Sequence, residues 1–275
     1  MNILYCGDSN IADGLILSVI SLLNNTAEQI NVYILTASLE TADRSFKPLP
    51  EKVVQLLDDY SKQVNSNNSV ELIDITHRFN EEPPHKNLET RFTPLCMLRL
   101  YSDCVPILPD RLLYLDNDVI CRKDFSEFYH QDLSEYELCG VLDHYGKWFF
   151  KNNPFKADYL NSGVLLLNLK KIRESGLFEK CRRRCAEKKM FMPDQSAINK
   201  LAKSKKICPR RFNEQRHLKE NTVFQHFTTS FRFFPWIHTV CVKPWDTERM
   251  HSVLKLHEYD SLILQYEQLK AKLEQ

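Results

Sequence analysis

The order of short apolar runs and longer amphipathic segments is the feature that most constrains this fold. Strand-like runs alternate with segments whose apolar residues recur at helical spacing. Up to residue 75 the predicted elements are strands NILYC (2–6), INVYIL (30–35) and VELIDI (70–75), a helix at 11–24, and a helix starting near Pro50. This βαβα order predicts an α/β fold with a mostly parallel sheet and helices on both faces.

The same alternation continues through the rest of the chain. The further predicted elements are a polar loop at 76–90, a helix containing LCMLRL, a strand at 112–115, sheet segments ELCGVLD and NSGVLLLNL within 137–168, and helices at 169–189, 194–203 and 247–275. The sequence contains no internal repeat, low-complexity linker or clear domain boundary. We therefore predict a single domain over 1–275.

Two aspartates directly follow a predicted strand in LYLDNDVI (113–120). Residues two apart in an extended segment point to the same side, so Asp116 and Asp118 can converge just beyond the sheet. Like charges held that close repel unless a cation or a shared proton lies between them. The pair is either a metal site or a surface turn whose acids diverge into water. Asp8 and Asn10 follow the first strand and fall on the same rim, where such sheets bind ligands.

The six glycines argue against a glycine-rich phosphate cradle. No G-x-G-x-x-G follows the first strand, so a nucleotide diphosphate would need a metal ion to neutralise it. Asp116 and Asp118 suit Mn²⁺ or Mg²⁺, which prefer carboxylate and phosphate oxygens. His226, in VFQHFTTSF (223–231), is either a packed histidine or a third ligand. As a ligand, its imidazole would favour Mn²⁺ over Mg²⁺.

Charge and cysteine content limit the partners and the compartment. The 275 residues include 37 basic and 36 acidic ones, which leaves no extended basic track for nucleic acid. We interpret the basic stretches 181–189 and 203–206 as solvated helix faces, with a contact to phosphate or to anionic lipid at a membrane surface as the lesser alternative. The first residues do not resemble a signal peptide, and no apolar run reaches the ~18–20 residues of a membrane span. Nine unpatterned cysteines indicate reduced thiols in the cytoplasm.

A series of motifs resembles glycosyltransferase family 8, the retaining transferases that include bacterial lipooligosaccharide galactosyltransferases and glycogenin. The similarity covers most of the chain, and the order of the motifs is more specific than any single one. The motifs are ILYCGDSN, MLRL, LLYLDNDVI, GVLDH, YLNSGVLLLNLKK, PDQSAIN, HFTT and VKPWD.

The resemblance implies a GT-A fold, a Rossmann-like sheet with a nucleotide-binding half at about 1–120 and an acceptor-side half at about 121–275. It implies a UDP-sugar donor, and Mn²⁺ held by Asp116, Asp118 and His226. The remaining residues that it implies near the donor are Asp8 and Asn10 at the uridine, Arg99 and Asn117 beside the donor, Asp143, Asn161, Ser162, Gly163, Asp194 and Gln195 around the donor sugar, and Lys243 at the diphosphate.

The sequence departs from the family pattern at two places. The family often has a compact H-x-x-G-x-x-K-P-W, whereas here residues 227–242 separate His226 from Lys243 and the glycine is missing. This insertion could carry His226 away from the rim, in which case His238 would be the substitute ligand. Ser9 also replaces an acid that is common after the position of Asp8.

These observations favour a metal-dependent retaining hexosyltransferase that uses a UDP-sugar and a glycan or lipid-linked glycan acceptor. The catalytic candidates are Gln195, Asp194 and Asp143. Because Gln195 is a poor nucleophile, we favour front-face attack in which the leaving phosphate takes the proton of the acceptor. Two other functions remain open, namely a sugar-nucleotide-binding protein without activity and a metal-dependent phosphohydrolase.

Overall fold

The computed structural model describes residues 1–89, 93–146, 158–232, 236 and 238–273. Its strands, in chain order, are β1 (Asn2–Cys6), β2 (Asn31–Thr36), β3 (Leu39–Glu40), β4 (Ser45–Phe46), β5 (Ser69–Asp74), β6 (Arg111–Leu115), β7 (Val119–Cys121), β8 (Leu138–Leu142), β9 (Leu160–Asn168), β10 (Lys205–Ile207), β11 (Phe224–His226), β12 (Ser230–Arg232) and β13 (His238–Val240).

Helices connect most of these strands. The α-helices described are α1 (Ala12–Leu23), α2 (Glu51–Val64), α3 (Thr76–Glu81), α4 (Ser126–Tyr129), α5 (Leu169–Ser175), α6 (Leu177–Glu187), α7 (Pro193–Leu201), α8 (Thr247–Arg249) and α9 (Asp260–Lys270). The 3₁₀ helices are Ser9–Ile11, His85–Asn87, Pro94–Cys104, Arg210–Phe212 and Ala271–Leu273, and Met250–Leu254 forms a π-helical turn. Within the described residues, no helix is long and apolar enough to cross a bilayer.

The main sheet has seven strands in the order β10-β8-β9-β6-β1-β2-β5. Every neighbouring pair in it is parallel except the two pairs that contain β9. The predicted mostly parallel α/β sheet is therefore confirmed. Because β9 runs in the opposite direction, it begins at the edge where β6 and β8 end. The sheet is continuous across the two predicted halves of the chain.

Alternate strand residues enter two hydrophobic cores, one on each face of the sheet. Ile3 and Tyr5 of β1 pack in the core that α1, α2 and α9 cover. Leu4, between them, packs in the core covered by the 3₁₀ helix Pro94–Cys104 and by α5, α6 and α7. Each fully buried aliphatic side chain of this kind contributes about 1.5–3 kcal/mol. This two-sided burial explains why the central strands β1, β6 and β9 are apolar over most of their length.

Four local expectations differ from the structure. The polar loop at 76–90 contains α3 and a 3₁₀ turn, and the segment with LCMLRL is a 3₁₀ helix. The helix expected over 169–189 breaks at Gly176, whose φ of 64° lies in the left-handed region that glycine adopts readily. The C-terminal helix is interrupted in the same way, because Lys255 has a φ of 57° and ends the π-helical turn.

Candidate active site

A cavity of about 360 Å³ lies at the edge of the main sheet where β1 and β6 end. The structure brings most of the predicted site residues together around it. The predicted residues that line the cavity are Arg99, Asp116, Asn117, Asp118, Asp143, Asn161, Ser162, Asp194, Gln195, His226 and Lys243. Asp8, Asn10 and Gly163 are not among the lining residues.

Asp116, Asp118 and His226 form a compact cluster in the wall of this cavity. Each residue offers one potential ligand atom, and these three atoms lie within 4.8 Å of one another. His226 Nε2 is 3.1 Å from Asp118 Oδ1 and 3.6 Å from Asp116 Oδ2. The prediction that the two acids converge is thus confirmed, and the acids do not diverge into water. Asp118 and His226 are both buried.

Strand pairing brings the histidine to the aspartates. Asp116 follows β6, a turn at 117–118 reverses the chain, and β7 leads away from the cluster. β11 pairs antiparallel with β7, which places His226 opposite Val119. The amide of Phe227 also donates to the Asp118 carbonyl at 3.0 Å. A short two-stranded sheet therefore fixes His226 beside a turn that lies far earlier in the sequence.

Asn213 orients the His226 ring. The side-chain oxygen of Asn213 lies 3.3 Å from His226 Nδ1, and the Asn213 side-chain amide donates to Asn161 Oδ1 at 2.9 Å. An amide oxygen can only accept, so Nδ1 carries a proton. Nε2 is then the ring nitrogen that faces Asp116 and Asp118 and that a metal ion would bind.

One oxygen of Asp116 is held by two donors. The Tyr114 hydroxyl donates to Asp116 Oδ1 at 2.6 Å, and Arg99 Nη2 donates to the same oxygen at 2.9 Å. The Arg99 guanidinium stacks over the Tyr114 ring at 4.0 Å. It also pairs with Asp194 through Nε at 3.2 Å. Asp116 Oδ2 is consequently the oxygen that faces His226.

Asp118 carries its charge next to two basic groups. Lys243 Nζ donates to Asp118 Oδ2 and to the Phe227 carbonyl. Burial raises the pKa of Asp118, but Lys243 and His226 lower it by more, so this pKa lies below its usual range. Burial lowers the pKa of Lys243, and Asp118 outweighs this effect and raises it. Both groups are therefore ionised at neutral pH.

Gly163 leaves room for the cluster although it does not line the cavity. A Cβ atom at this position would lie 2.1 Å from His226 Cε1 and 2.7 Å from Asp116 Oδ2. The Gly163 carbonyl accepts the Asp116 amide at 2.8 Å, so the backbone of β9 approaches closely. Two carboxylates and an imidazole that converge over a glycine fit a divalent cation with oxygen and nitrogen ligands.

A network of amides and carboxylates forms the side of the cavity that was predicted to surround the sugar. Gln195 Oε1 accepts from the Ser162 amide at 2.9 Å, and Gln195 Nε2 donates to Asp143 at 3.4 Å. Asp143 also accepts from Asn161 Nδ2 at 3.0 Å. Ser162 Oγ lies 3.3 Å from Asp194 Oδ2. These side chains are mutually oriented before any ligand binds.

Asp8 and Asn10 form a local turn instead of part of the cavity wall. Asp8 accepts from the Asn10 amide and from its side chain, both at 3.0 Å, and it caps the 3₁₀ helix Ser9–Ile11. Asp8 is buried and Asn10 is exposed. Their neighbours Gly7 and Ile11 line the cavity. The predicted uridine contact of Asp8 and Asn10 therefore stays a prediction.

The insertion at 227–242 does not displace the histidine. Its described part contains β12 and β13, which pair antiparallel and return the chain to the cluster, so that Lys243 contacts Asp118. His238 lies on β13, where its Nδ1 donates to the Trp236 carbonyl at 2.9 Å. It is not part of the ligand cluster. The structure therefore supports His226 over His238 as the third ligand.

Two residues that complete the site were missed in the sequence. Tyr114 could have been found, because it lies two residues before Asp116 in an extended segment and so points to the same side. Asn213 gave no comparable signal, since its role depends on the pairing of β11 with β7. A second group of potential ligands, His251, His257 and Asp260, lies on the surface and was also not predicted.

Comparisons with known proteins agree with this geometry. The model of "Glycosyl transferase family 8" matches residues 2–249. Lipopolysaccharide 1,2-glucosyltransferase of Escherichia coli (strain K12) is 26% identical over 274 residues, which cover 94% of this chain and 76% of that protein. A protein of Haemophilus influenzae is 25% identical over 236 residues, which cover 78% of this chain and 63% of that protein. The chain thus spans less than two thirds of the length of this last relative.

Two solved structures of LgtC share the fold. An active-site mutant superposes with a TM-score of 0.69 at 19% identity, covering 99% of this chain and 96% of that chain. Galactosyltransferase LgtC in complex with donor and acceptor sugar analogs superposes with a TM-score of 0.65 at 20% identity. The match covers 98% of this chain and 96% of that chain. These matches confirm the predicted GT-A fold. Because the family model also covers most of the sequence, the chain belongs to glycosyltransferase family 8.

Proposed function

We propose that the chain is a metal-dependent retaining hexosyltransferase that moves a hexose from a UDP-sugar to a glycan or lipid-linked glycan acceptor. The observation that carries this proposal is the cluster of Asp116, Asp118 and His226 in the wall of a cavity that also contains Gln195 and its hydrogen-bond partners. The volume of about 360 Å³ falls in the range of small-molecule sites, about 300–1,000 Å³.

The ligand set is suited to hold a cation against a diphosphate. Bound there, Mn²⁺ would act as a Lewis acid that stabilises the charge of the leaving UDP. Mg²⁺ is the alternative, and the nitrogen ligand of His226 favours Mn²⁺. The Lys243 ammonium adjoins this ligand set and would supply a second positive charge to the diphosphate. Asn117, in the turn between the two aspartates, is the neighbouring polar group in the cavity.

The network around the predicted donor sugar argues against a covalent intermediate. Asp194 is ion-paired with Arg99, and Gln195 carries a neutral amide. Asp143 accepts hydrogen bonds from several neighbours, and burial raises the pKa of the Cys96 thiol, so this sulfur is protonated at neutral pH. We therefore propose front-face attack. The acceptor oxygen bonds to C1 as the bond from C1 to phosphate breaks, and the acceptor proton goes to the leaving phosphate.

Three parts of the proposal rest on observations other than the geometry of the cluster: the base of the donor, the acceptor and the cellular compartment. We keep Asp8 and Asn10 as the proposed uridine contacts, because their neighbours Gly7 and Ile11 line the cavity. The similarity to the lipopolysaccharide 1,2-glucosyltransferase of Escherichia coli supports a lipopolysaccharide-type acceptor. Nine free cysteines support a cytoplasmic location. The proposed donor is the UDP derivative of glucose, galactose or another hexose.

A donor panel tests the proposal. UDP-glucose, UDP-galactose and ADP-glucose are offered with Mn²⁺, with and without candidate glycans, and nucleotide release and product anomer are measured. We expect transfer from one UDP-sugar with the anomeric configuration retained. Asp118→Ala and excess EDTA should each abolish turnover, because the charge stabilisation from the metal amounts to several kcal/mol.

Each alternative gives a different result in this panel. Full activity in EDTA or in Asp118→Ala would exclude the metal-dependent reaction. Binding of UDP-sugar without turnover on any acceptor would indicate a binding protein. Phosphate release from simple esters, with no preference for uracil, would indicate a phosphohydrolase. An inverted product would contradict front-face attack.

A further inference from the structure

A second cavity of about 260 Å³ adjoins the candidate active site. The two cavities share Gln215, His226 and Thr228 as lining residues. We call the second one the side cavity; its other lining residues are 216–218, Gln225, Phe227, Ser230, Val240, Val242, Val253, Leu254 and Leu256. A ligand in the side cavity would lie on the other side of these shared residues from the donor.

Arg216 gives the lining of the side cavity a positive charge, and none of the described lining residues is Asp or Glu. The main cavity is different, because four aspartates line it, including the metal ligands. Valines, leucines and Phe227 form the apolar part of the side cavity. Such a lining suits a ligand that combines an apolar face, such as that of a sugar ring, with a negative group.

Arg216 has no carboxylate partner within the described part of the chain. Its guanidinium donates to the hydroxyl of Tyr145, a neutral group, and stacks at 5.5 Å from that ring. Nearby Glu214 accepts the backbone amide of Arg216 and the side chain of Arg210 instead. Residues 147–157, which follow Tyr145 closely in the sequence, include three lysines and no acid.

The unpaired charge affects its surroundings. Burial lowers the pKa of His144, and Arg216 and then Arg210 lower it further, against the opposing effects of Asp143 and Glu214. The local field therefore disfavours an additional positive charge. A guanidinium is the side chain best suited to bind phosphate or carboxylate through two parallel hydrogen bonds. The diphosphate of the donor does not need Arg216, because the metal site and Lys243 are available for it.

We propose that the side cavity binds an anionic group, a phosphate or a carboxylate, on the acceptor glycan, with Arg216 as the residue that recognises it. The proposal rests on the function proposed above and deepens it, since it states the chemical class of the acceptor. The volume lies below the about 300–1,000 Å³ of drug-sized ligands, so it fits about one sugar ring. The occupant would be a charged sugar unit next to the one that accepts the hexose.

Calorimetry on the full chain with saturating Mn²⁺ and UDP tests this site. UDP occupies the donor position, so that a second anion must bind elsewhere. The probes are glucose, glucose 6-phosphate, glucuronate and inorganic phosphate. We expect at least one charged sugar to bind about tenfold or more tightly than glucose, and we expect the difference to shrink at high salt because it is electrostatic.

Variants identify the residue responsible. Arg216→Gln should remove the preference for the charged sugar, and Arg216→Lys should retain part of it. Arg183→Gln, which alters an exposed arginine on α6, is the matched control and should leave the preference unchanged. The affinity for UDP with Mn²⁺ is measured alongside in Arg216→Gln, because Tyr145, the hydrogen-bond partner of Arg216, lines the main cavity.

Several results would overturn the proposal. Equal binding of glucose and both charged sugars would do so, as would an unchanged preference in Arg216→Gln. Inorganic phosphate that binds as tightly as glucose 6-phosphate would indicate a site for a free anion and not for an acceptor. Failure of the proposed function gives a separate signal, since the wild-type protein would then release no UDP from any donor whatever the side cavity binds.

Discussion

The two carboxylate oxygens of Asp116 have different partners. Its Oδ1 accepts from Tyr114 and Arg99, while its Oδ2 faces His226. Groups that hold a metal ligand in this way commonly change metal affinity by about 10–100-fold when they are removed. At the proposed metal site, Tyr114 would therefore act as a positioning residue for Asp116 without being a ligand itself.

Tyr114→Phe should raise the Mn²⁺ concentration needed for half-maximal turnover about tenfold. Tyr5→Phe is the matched control, because Tyr5 is a buried tyrosine of the same sheet whose hydroxyl bonds to Ser18 at 2.6 Å. Each variant loses one buried hydrogen bond, worth about 1 kcal/mol of stability. Titrations of turnover against Mn²⁺ concentration should show a raised requirement in Tyr114→Phe and an unchanged one in Tyr5→Phe. Identical metal requirements would show that Tyr114 does not position Asp116.

His226→Ala should raise the Mn²⁺ requirement about tenfold or more, because it removes a ligand whose ring Asn213 orients. His238→Ala and His257→Ala should leave the requirement unchanged, since neither residue belongs to the Asp116–Asp118 cluster. The measurement is turnover of the UDP-sugar against Mn²⁺ concentration. A destabilised protein with an unaltered requirement once folded would mean that His226 is only a packing group.

At the scale of elements, helix α1 supports the turn that carries both aspartates. A Cβ at Gly14 would lie 2.5 Å from the Asn117 carbonyl oxygen and 2.5 Å from Trp245 Cζ3. The first turn of α1 therefore packs directly on the turn at 117–118, and the tryptophan of KPW closes the contact. This explains why a glycine stands inside a helix, where it costs about 0.5–1 kcal/mol relative to alanine.

Gly14→Ala tests which effect dominates. Helix propensity alone predicts stabilisation by up to about 1 kcal/mol, whereas overpacking typically costs about 1–3 kcal/mol. Because one of the close atoms belongs to the backbone, we expect net destabilisation and a raised Mn²⁺ requirement. Urea denaturation and manganese titration measure the two effects. A more stable protein with an unchanged metal requirement would show that the contact relaxes without cost.

The elements also show what the sequence could and could not predict. The strands before Asp8 and Asp116 were recognisable, because apolar runs ending in acids mark the rim of a parallel sheet. The reversed direction of β9 was not, since side-chain periodicity is the same in parallel and antiparallel strands. That direction brings Ser162 and Gly163 to Asp116. The return of the chain through β12 and β13 likewise depends on pairing that no local pattern encodes.

For the whole molecule, the ion pair of Asp118 and Lys243 links stability to pH. The pKa of Asp118 is lower in the folded protein than in the unfolded chain, where an aspartate titrates near about 3.9. Its ionised form therefore stabilises the fold above about pH 4. This contribution is lost as the pH falls below that value.

Asp118→Asn in EDTA should lower the free energy of unfolding at pH 7 by about 1.5–3 kcal/mol, the usual contribution of a hydrogen bond to a charged group. At pH 3, the difference in the free energy of unfolding between the variant and the wild-type protein should be smaller than at pH 7. Asp43→Asn, at an exposed position, should leave stability nearly unchanged at both pH values. Urea denaturation measures the free energy of unfolding. A difference between variant and wild type that grows on acidification would contradict the lowered pKa of Asp118.

The contact of Lys243 with Asp118 joins residues 125 positions apart, and Arg99 reaches Ser162 across 63. Contacts this distant in sequence form slowly, because the chain must lose loop entropy before they stabilise anything. Helices form from contacts between residues only a few positions apart. In refolding from urea, we therefore expect helical circular dichroism to recover first and tight Mn²⁺ binding to recover last.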